Sequence, residues 1–214
     1  MPVEPAKEAM VLIWDESFMT VMEAAEAEAR RSNASAYGSE HVLLGLLSVP
    51  DAVTGRVLAD RPELTVEAVR HAVAAAVDDA PHLKRLGIDP ELLRQAERAA
   101  PPGPRVDLRN RHTAELQVAL DDSSHTCGQL VKRRQLPLTR KLGSAHLWLA
   151  VLEPTSRAHR LLNALDVDPD QVRVTVLTAM AAPGSPPPAW PGHLRRGLLD
   201  RVLSRFFERV NVAG

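Results

Sequence analysis

The sequence predicts an all-α protein that contains two copies of one helical unit. Alanine, leucine and valine dominate its hydrophobic residues, and only seven of its 214 residues are aromatic. Alanine and leucine favour helices, whereas aromatic residues favour strands. Apolar side chains recur three and four positions apart, which is the spacing of one helix face. The same order of helices returns about a hundred residues later, and this internal repeat predicts the domain organisation.

The first unit covers residues 14–78. Its opening helix presents one apolar face, formed by Phe18, Val21, Met22, Ala25 and Ala29. Ser39 is expected to be the N-cap of a short and strongly apolar second helix. A third helix is expected around Val53–Leu58, and a fourth begins at Thr65, whose hydroxyl can cap it.

The second unit covers residues 108–181. Gly143–Leu149 repeats the pattern of Gly38–Leu44 at an offset of 105, and the fourth helices match at an offset of 103. Val172–Val176 alternates like a strand, but its counterpart in the first unit is helical. Asp168 followed by Pro169 is also a typical helix start. We therefore predict a helix for this segment.

The opening helix of the second unit is the weakest match. At an offset of 94, Leu108 aligns with Trp14 and Arg109 aligns with Asp15. The change of offset from 94 to 105 implies about eleven extra residues, which we assign to a basic insertion at 128–142. This insertion contains Lys132, Arg133, Arg134, Arg140 and Lys141 and no acid, and its first three cations are candidate partner contacts.

The remaining segments flank or join the two units. Residues 1–13 form a tail, 79–107 a linker with an extra short helix, and 182–192 a Pro-rich linker that should be extended and poorly ordered. Residues 193–214 predict an amphipathic helix, whose apolar arc includes Phe206 and Phe207 as candidate partner contacts. We expect this helix to fold back onto the repeats, guided by Trp190. The alternatives are that this helix binds a partner protein, forms a homodimer or attaches to a membrane surface.

Composition and the absence of certain motifs limit where the protein is expected to act and which functions are expected of it. The formal net charge is −1, so no general attraction to nucleic acid is expected. No apolar run is long enough to span a bilayer, and the acidic N-terminus does not look like a secretory signal. The single cysteine, Cys127, cannot form an internal disulfide, which favours the cytoplasm. No phosphate-binding loop of the type Gly-x-x-x-x-Gly-Lys-Ser/Thr occurs, so ATP hydrolysis is not expected.

The sequence resembles the N-terminal repeat domain of the Clp unfoldases, which include ClpC and ClpA. The resemblance rests on Trp14, on the helix that follows it and on the run Gly38–Leu47, in a pattern that returns about a hundred residues later. The resemblance covers residues 14–78 and 108–180. It implies two four-helix repeats related by a pseudo-twofold axis, with no catalytic residue and no cofactor. It also implies binding of adaptors, substrates or the unfoldase and, in ClpC-type domains, of cyclic-peptide antibiotics. We therefore expect a stand-alone binding module of the Clp protease system or, alternatively, a decoy that sequesters such antibiotics.

The resemblance also implies candidate ligand contacts, which are Trp14, Asp15, Phe18, Glu40, His41, Leu108 and Arg109. In ClpC-like domains the glutamate at the position of Glu40 receives the guanidinium of phosphorylated arginine; the alternative role for Glu40 is to stabilise a helix start. The family has threonine where this chain has Asp15, whose carboxylate would repel a phosphate. In the second copy Ala145 replaces the glutamate. Both differences disfavour recognition of phosphoarginine, more so in the second copy, and leave open whether the chain binds it.

Two residue pairs could indicate other chemistry. His41 and His146 occupy equivalent helix starts, but no cluster of ligands accompanies them, so we expect a structural role and no metal. His125 and Cys127 could form a nucleophilic pair, yet residues two apart on a helix point to different faces. No arrangement in the sequence supports an enzyme.

Overall fold

The computed structural model of the protein describes residues 13–76, 108, 111–139 and 141–191. The first copy contains α1 (Glu16–Arg31), α2 (Ser39–Ser48), α3 (Ala52–Ala59) and α4 (Val66–Ala76). The second copy contains α5 (Ala114–Lys132), α6 (Ser144–Val151), α7 (Arg157–Ala164) and α8 (Pro169–Met180). Two short strands, β1 (Ile13–Trp14) and β2 (Lys141–Leu142), precede α1 and α6. The protein is all-α, as the sequence predicts.

Most of these helices begin at a side chain that accepts a hydrogen bond from a free backbone amide. Asp15 accepts from the amide of Phe18 at 3.0 Å, and Thr113 accepts from the amide of Leu116 at 3.2 Å. The same arrangement begins α3 at Asp51, α4 at Thr65, α7 at Ser156 and α8 at Asp168. The helix starts predicted at Thr65 and Asp168 are therefore confirmed, because each supplies the oxygen that the first turn lacks.

Ser39 is not the N-cap of α2, contrary to the prediction. Gly38 occupies that position, and its N–H donates to Nδ1 of His41 at 3.1 Å. Gly143 and His146 repeat this bond at the start of α6, also at 3.1 Å. A side chain three residues into the helix thus satisfies the backbone at the cap, so the hydroxyl of Ser39 is available for contacts with the second copy.

The duplication is present in space, but the sequence register of the opening helix was wrong. The buried face of α1 matches that of α5 at an offset of 98, which pairs Phe18, Val21, Ala25 and Ala29 with Leu116, Ala119, Ser123 and Cys127. Because α2 and α6 match at an offset of 105, the second copy has seven extra residues between its first and second helices instead of eleven. Three of them lengthen α5, which has 19 residues where α1 has 16. The offset of 94 was favoured because Leu108 and Trp14 are both apolar residues that precede a helix.

Two short backbone pairings join the copies. β1 is parallel to β2, with Trp14 opposite Leu142. Tyr37 forms an isolated parallel bridge with His112. These pairings are equivalent, because the offset of 98 relates Trp14 to His112 and the offset of 105 relates Tyr37 to Leu142. Neither strand is visible in the sequence, since two residues are too few to show the alternation that indicates a strand.

One hydrophobic core is shared by both copies. Helix α2 packs against α6 and α7 of the second copy, and α3 packs against α6. Trp148 of α6 is fully buried, and its indole N–H donates to the hydroxyl of Thr54 on α3 at 2.9 Å. Leu43, at the position in α2 that corresponds to Trp148, is buried in the same cluster. Each copy therefore completes the core of the other, as expected for a repeat that cannot bury its own apolar face.

The Pro-rich segment contacts the second copy near its end, at Pro188 and Trp190, whereas residues 182–187 are exposed. Pro188 is buried, and Trp190 packs against the core. The guanidinium of Arg173 lies 5.9 Å from the centre of the Trp190 ring, which is within the range of a cation–π contact. A Pro-rich composition predicted extended chain correctly, but it gave no indication of the apolar surface that this segment buries.

Several predicted segments lie outside the described residues. They are the tail before Ile13, the extra helix in 79–107 and the amphipathic helix 193–214 with Phe206 and Phe207. Among the described helices, none alone is long and apolar enough to cross a membrane; α2 and α3 reach that threshold only together, as a pair bent by 93°.

Candidate functional site

An apolar patch is exposed on β1, beside the start of α1. The side chains of Ile13 and Trp14 are 56% and 61% exposed. The Trp14 indole stacks on the ring of Phe18, with ring centres 5.5 Å apart and planes 10° apart. Phe18 itself is buried, so of these two predicted ligand contacts Trp14 faces solvent and Phe18 supports it from below. We call Ile13 and Trp14 the β1 patch.

The N-termini of α2, α5 and α7 meet at a junction between the copies. Here Glu115 accepts hydrogen bonds from the hydroxyl of Ser39 at 2.6 Å and from the amide of Arg157 at 2.7 Å. Glu40 is also buried, and its Oε1 accepts from the guanidinium of Arg157 at 3.2 Å. Two carboxylates thus cover three helix N-termini, whose partial positive charge favours them.

The equivalent junction at α1, α3 and α6 is built from different carboxylates. Oδ1 of Asp15 accepts from the hydroxyl of Ser17 at 2.7 Å, and that hydroxyl accepts from the amide of Ser144 at 3.0 Å. The hydroxyl of Ser144 donates to Asp51. Burial would raise the pKa of Asp51, but hydrogen bonds from Ser144 and from the first turn of α3 hold it below its usual range. This junction is therefore also occupied by the protein's own anions.

A side chain of the second copy already occupies the acceptor position at Glu40. The resemblance assigns this position to the guanidinium of a bound arginine, and Arg157 supplies a guanidinium from within the chain. Oε2 of Glu40 is buried with no hydrogen-bond partner in the described residues. Sequence comparison of the copies could not indicate Arg157, because the equivalent residue in α3 is Ala52.

Leu108 and Arg109, the two candidate ligand contacts in the second copy, no longer align with Trp14 and Asp15 in the corrected register. Leu108 is 1% exposed and belongs to the core, so it is not an accessible contact. Arg109 lies outside the described residues, and the residue equivalent to Asp15 is Thr113, which caps α5. Ala145 does occupy the position equivalent to Glu40, as predicted, and offers no acceptor.

His41 has the structural role that its position at a helix start predicts. Nδ1 accepts from the backbone of Gly38, and Nε2 lies 3.1 Å from the hydroxyl of Ser32. Burial lowers the pKa of His41, although Glu40 and Glu28 act in the opposite direction. The described residues contain no group of three or more side chains placed to hold a metal ion.

His125 and Cys127 do not form a nucleophilic pair. Cys127 is buried, and burial raises the pKa of its thiol to about 12, with a further contribution from the charge of Glu153. His125 is on the exposed face of α5, 2.8 Å from the side-chain nitrogen of Gln129. A thiol with this pKa is protonated at neutral pH and is a poor nucleophile.

The basic residues Lys132, Arg133 and Arg134 are exposed at the C-terminal end of α5. Their positive charge is favourable beside the last carbonyl groups of a helix. They are thus available to a partner but also have a local structural explanation.

The fold and these junctions define a class of duplicated all-α domain in which two helical repeats share one core. Residues 14–100 match the Clp repeat N-terminal domain family. The structure is similar to the crystal structure of the N-terminal domain of the caseinolytic protease associated chaperone ClpD from Arabidopsis thaliana. The TM-score is 0.51 at 13% sequence identity, and the match covers 78% of this chain and 96% of that chain. A search of curated proteins gives no match.

Residues 14–100 therefore resemble the Clp repeat N-terminal domain family, and the described residues have the fold of a Clp N-terminal domain. Domains of this family are protein-interaction modules, which agrees with the class predicted from the sequence. The finer question is which surface of this chain binds and what it binds.

Proposed function

We propose that the protein is an accessory module of the Clp protease system, acting in the cytoplasm, and that it binds an adaptor, a substrate or the unfoldase through the β1 patch. The exposed Trp14, held by its stack on Phe18, is the observation that carries this proposal. Tryptophan is enriched among the residues that dominate binding energy, because it buries a large area with few rotatable bonds.

The two junctions of helix N-termini support the choice of the β1 patch. Their carboxylates are bonded to Ser39, Arg157, Ser17 and Ser144, so a ligand would have to displace internal partners there. At the β1 patch a ligand would displace only water. For the same reason we propose that phosphoarginine is not a ligand of this chain.

The test is calorimetric titration of the protein into purified Clp unfoldase. We expect binding that Trp14→Ala weakens at least about tenfold, as for a tryptophan at the centre of an interface. Val174→Ala is the matched control, because Val174 is an exposed apolar residue on α8. Equal loss in both variants, or none in Trp14→Ala, would contradict the proposal.

A second candidate function is a decoy for Clp-directed cyclic peptides. The same open indole favours it, because an apolar cyclic peptide needs an exposed aromatic surface. Titration with such a peptide separates the two: binding of the peptide without binding of the unfoldase favours the decoy, and the reverse favours the accessory module. The exposed cations Lys132, Arg133 and Arg134 remain proposed secondary contacts for an acidic protein surface.

A further inference from the structure

The backbone of Trp14 faces away from β2. The amide of Asp15 donates to the carbonyl of Leu142 at 2.9 Å, and in a parallel pair only alternate residues of one strand bond to the other strand. With Asp15 and Ile13 directed at β2, the N–H and C=O of Trp14 point to the opposite edge. In the described residues no hydrogen bond joins either group to another part of the chain.

The outer edge of β2, by contrast, is closed by a side chain. The hydroxyl of Thr139 accepts from the amide of Lys141 at 3.1 Å and donates to the carbonyl of the same residue at 3.2 Å. Within the described residues, the two-stranded ribbon therefore has one satisfied edge and one edge whose donor and acceptor have no partner. Unpaired strand edges are templates for an added strand.

Apolar side chains flank this free edge on both faces of the ribbon. Successive residues of a strand point to opposite faces, so Ile13 lies on one face and Trp14 on the other, and both are more than half exposed. An added strand would thus gain two backbone hydrogen bonds to Trp14 and an apolar contact on each face.

The equivalent bridge in the other half has the same backbone but a different surface. Tyr37 bonds to the carbonyl of Arg111 and to the amide of Thr113, which leaves the backbone of His112 directed outward. His112 is exposed, and its Nε2 lies 2.6 Å from the side-chain oxygen of Gln117. This edge therefore presents a polar surface where the first presents tryptophan.

We propose that an extended peptide segment with consecutive apolar side chains binds by adding a strand to the outer edge of β1, at one site per chain. This inference rests on the proposed function, since it specifies how the β1 patch holds its partner. The free backbone groups of Trp14 select an extended backbone. The difference between Trp14 and His112 limits binding to one of the two equivalent edges.

The test uses a labelled peptide, Ac-Ser-Val-Leu-Val-Ser-amide, and the same peptide N-methylated at its three central residues. Both carry the same side chains, but the second lacks the central amide donors. We expect binding of the first at one site per chain and at least about tenfold weaker binding of the second, as for the loss of a backbone hydrogen bond. Trp14→Ala should weaken binding of the first peptide at least about tenfold, and His112→Ala should leave it unchanged. Thermal unfolding of each variant checks that it is folded.

Equal affinity for the two peptides, two sites per chain, or no binding of the unmethylated peptide would overturn strand addition. If both peptides bind equally and both depend on Trp14, the side-chain surface alone binds, and the proposed function stands without this inference. Sedimentation is the final check: a dimer that Trp14→Ala dissociates would show that a second copy of the chain occupies the edge, which also overturns the proposal.

Discussion

At the scale of single residues, His41 and His146 hold equivalent backbone amides at the starts of α2 and α6. Each Nδ1 must be unprotonated to accept the amide hydrogen of the glycine three residues earlier. Burial is the largest cause that lowers the pKa of both imidazoles. The same pattern, a glycine followed three positions later by histidine, was visible in both copies of the sequence. It was not recognised as a cap because hydroxyl and carboxyl side chains are the usual cap residues.

We expect the stability of the protein to fall as the pH is lowered. Because the pKa of each histidine is lower in the folded state, the unfolded chain binds more protons in the window between the two values. The contribution of these groups is fully present above about pH 6.5 and is lost as the pH falls through their folded-state pKa values, at about 1.4 kcal/mol for each pKa unit. Urea unfolding between pH 8 and pH 5 measures this slope.

The variant His146→Ala should have a flatter pH profile as well as lower stability. His125→Ala removes an exposed histidine and should keep the wild-type profile. A slope that is unchanged in His146→Ala would show that other groups cause the pH dependence.

At the scale of helices, the backbones of α1 and α2 approach each other closely at Gly45. A Cβ added at Gly45 would lie 2.5 Å from the carbonyl oxygen of Val21 and 3.0 Å from the amide nitrogen of Ala25. Both are backbone atoms, which cannot move aside without shifting the helix. The missing side chain at Gly45 therefore sets how closely α2 can approach α1.

We expect Gly45→Ala to destabilise the protein by about 1–3 kcal/mol, because the added methyl group overpacks this contact. Gly55→Ala is the matched control. It lies in α3 with nothing within 4 Å of the added Cβ, so the better helix propensity of alanine should make it neutral or stabilising by up to about 1 kcal/mol. Chemical denaturation measures both. Similar effects of the two substitutions would contradict the close-contact explanation.

The helices themselves were largely predictable because their signals are local. In α8 the alternation of Val172–Val176 favoured a strand, but Asp168, Pro169 and the helical counterpart Val69 favoured a helix, and the structure has a helix. The register of α5 was not predictable in the same way. Leu108 and His112 precede the same helix, and what distinguishes them is tertiary: the buried face of α5 and the pairing of His112 with Tyr37, which is far away in sequence.

At the scale of the whole molecule, the two copies form one unit because polar bonds and apolar packing cross between them. The bond from Trp148 to Thr54 is buried at the centre of this contact. The duplication in the sequence predicted that the copies would pack together. It could not predict the roles of Arg157 and Glu115, because each occurs in one copy only and depends on the other copy for its environment. Trp14 of the β1 patch was a candidate contact only because of the family resemblance.

We expect Thr54→Val to destabilise the protein by about 1–3 kcal/mol, because it leaves the indole N–H of Trp148 buried without an acceptor. Thr54→Ser keeps the hydroxyl and should retain most of the stability. Unfolding followed at the tryptophans and by circular dichroism should remain a single transition in both variants, since the copies share one core. Separate transitions for the two halves would contradict a shared core.

The pairing of β1 with β2 also bears on how the chain is made. Ile13 precedes its partner Lys141 by more than a hundred residues, so the ribbon cannot close until β2 of the second copy has left the ribosome. Until then the leucine-rich face of α2 has no second copy to cover it. The nascent chain must therefore keep this face from aggregating, or be protected by a chaperone, until the second copy has emerged.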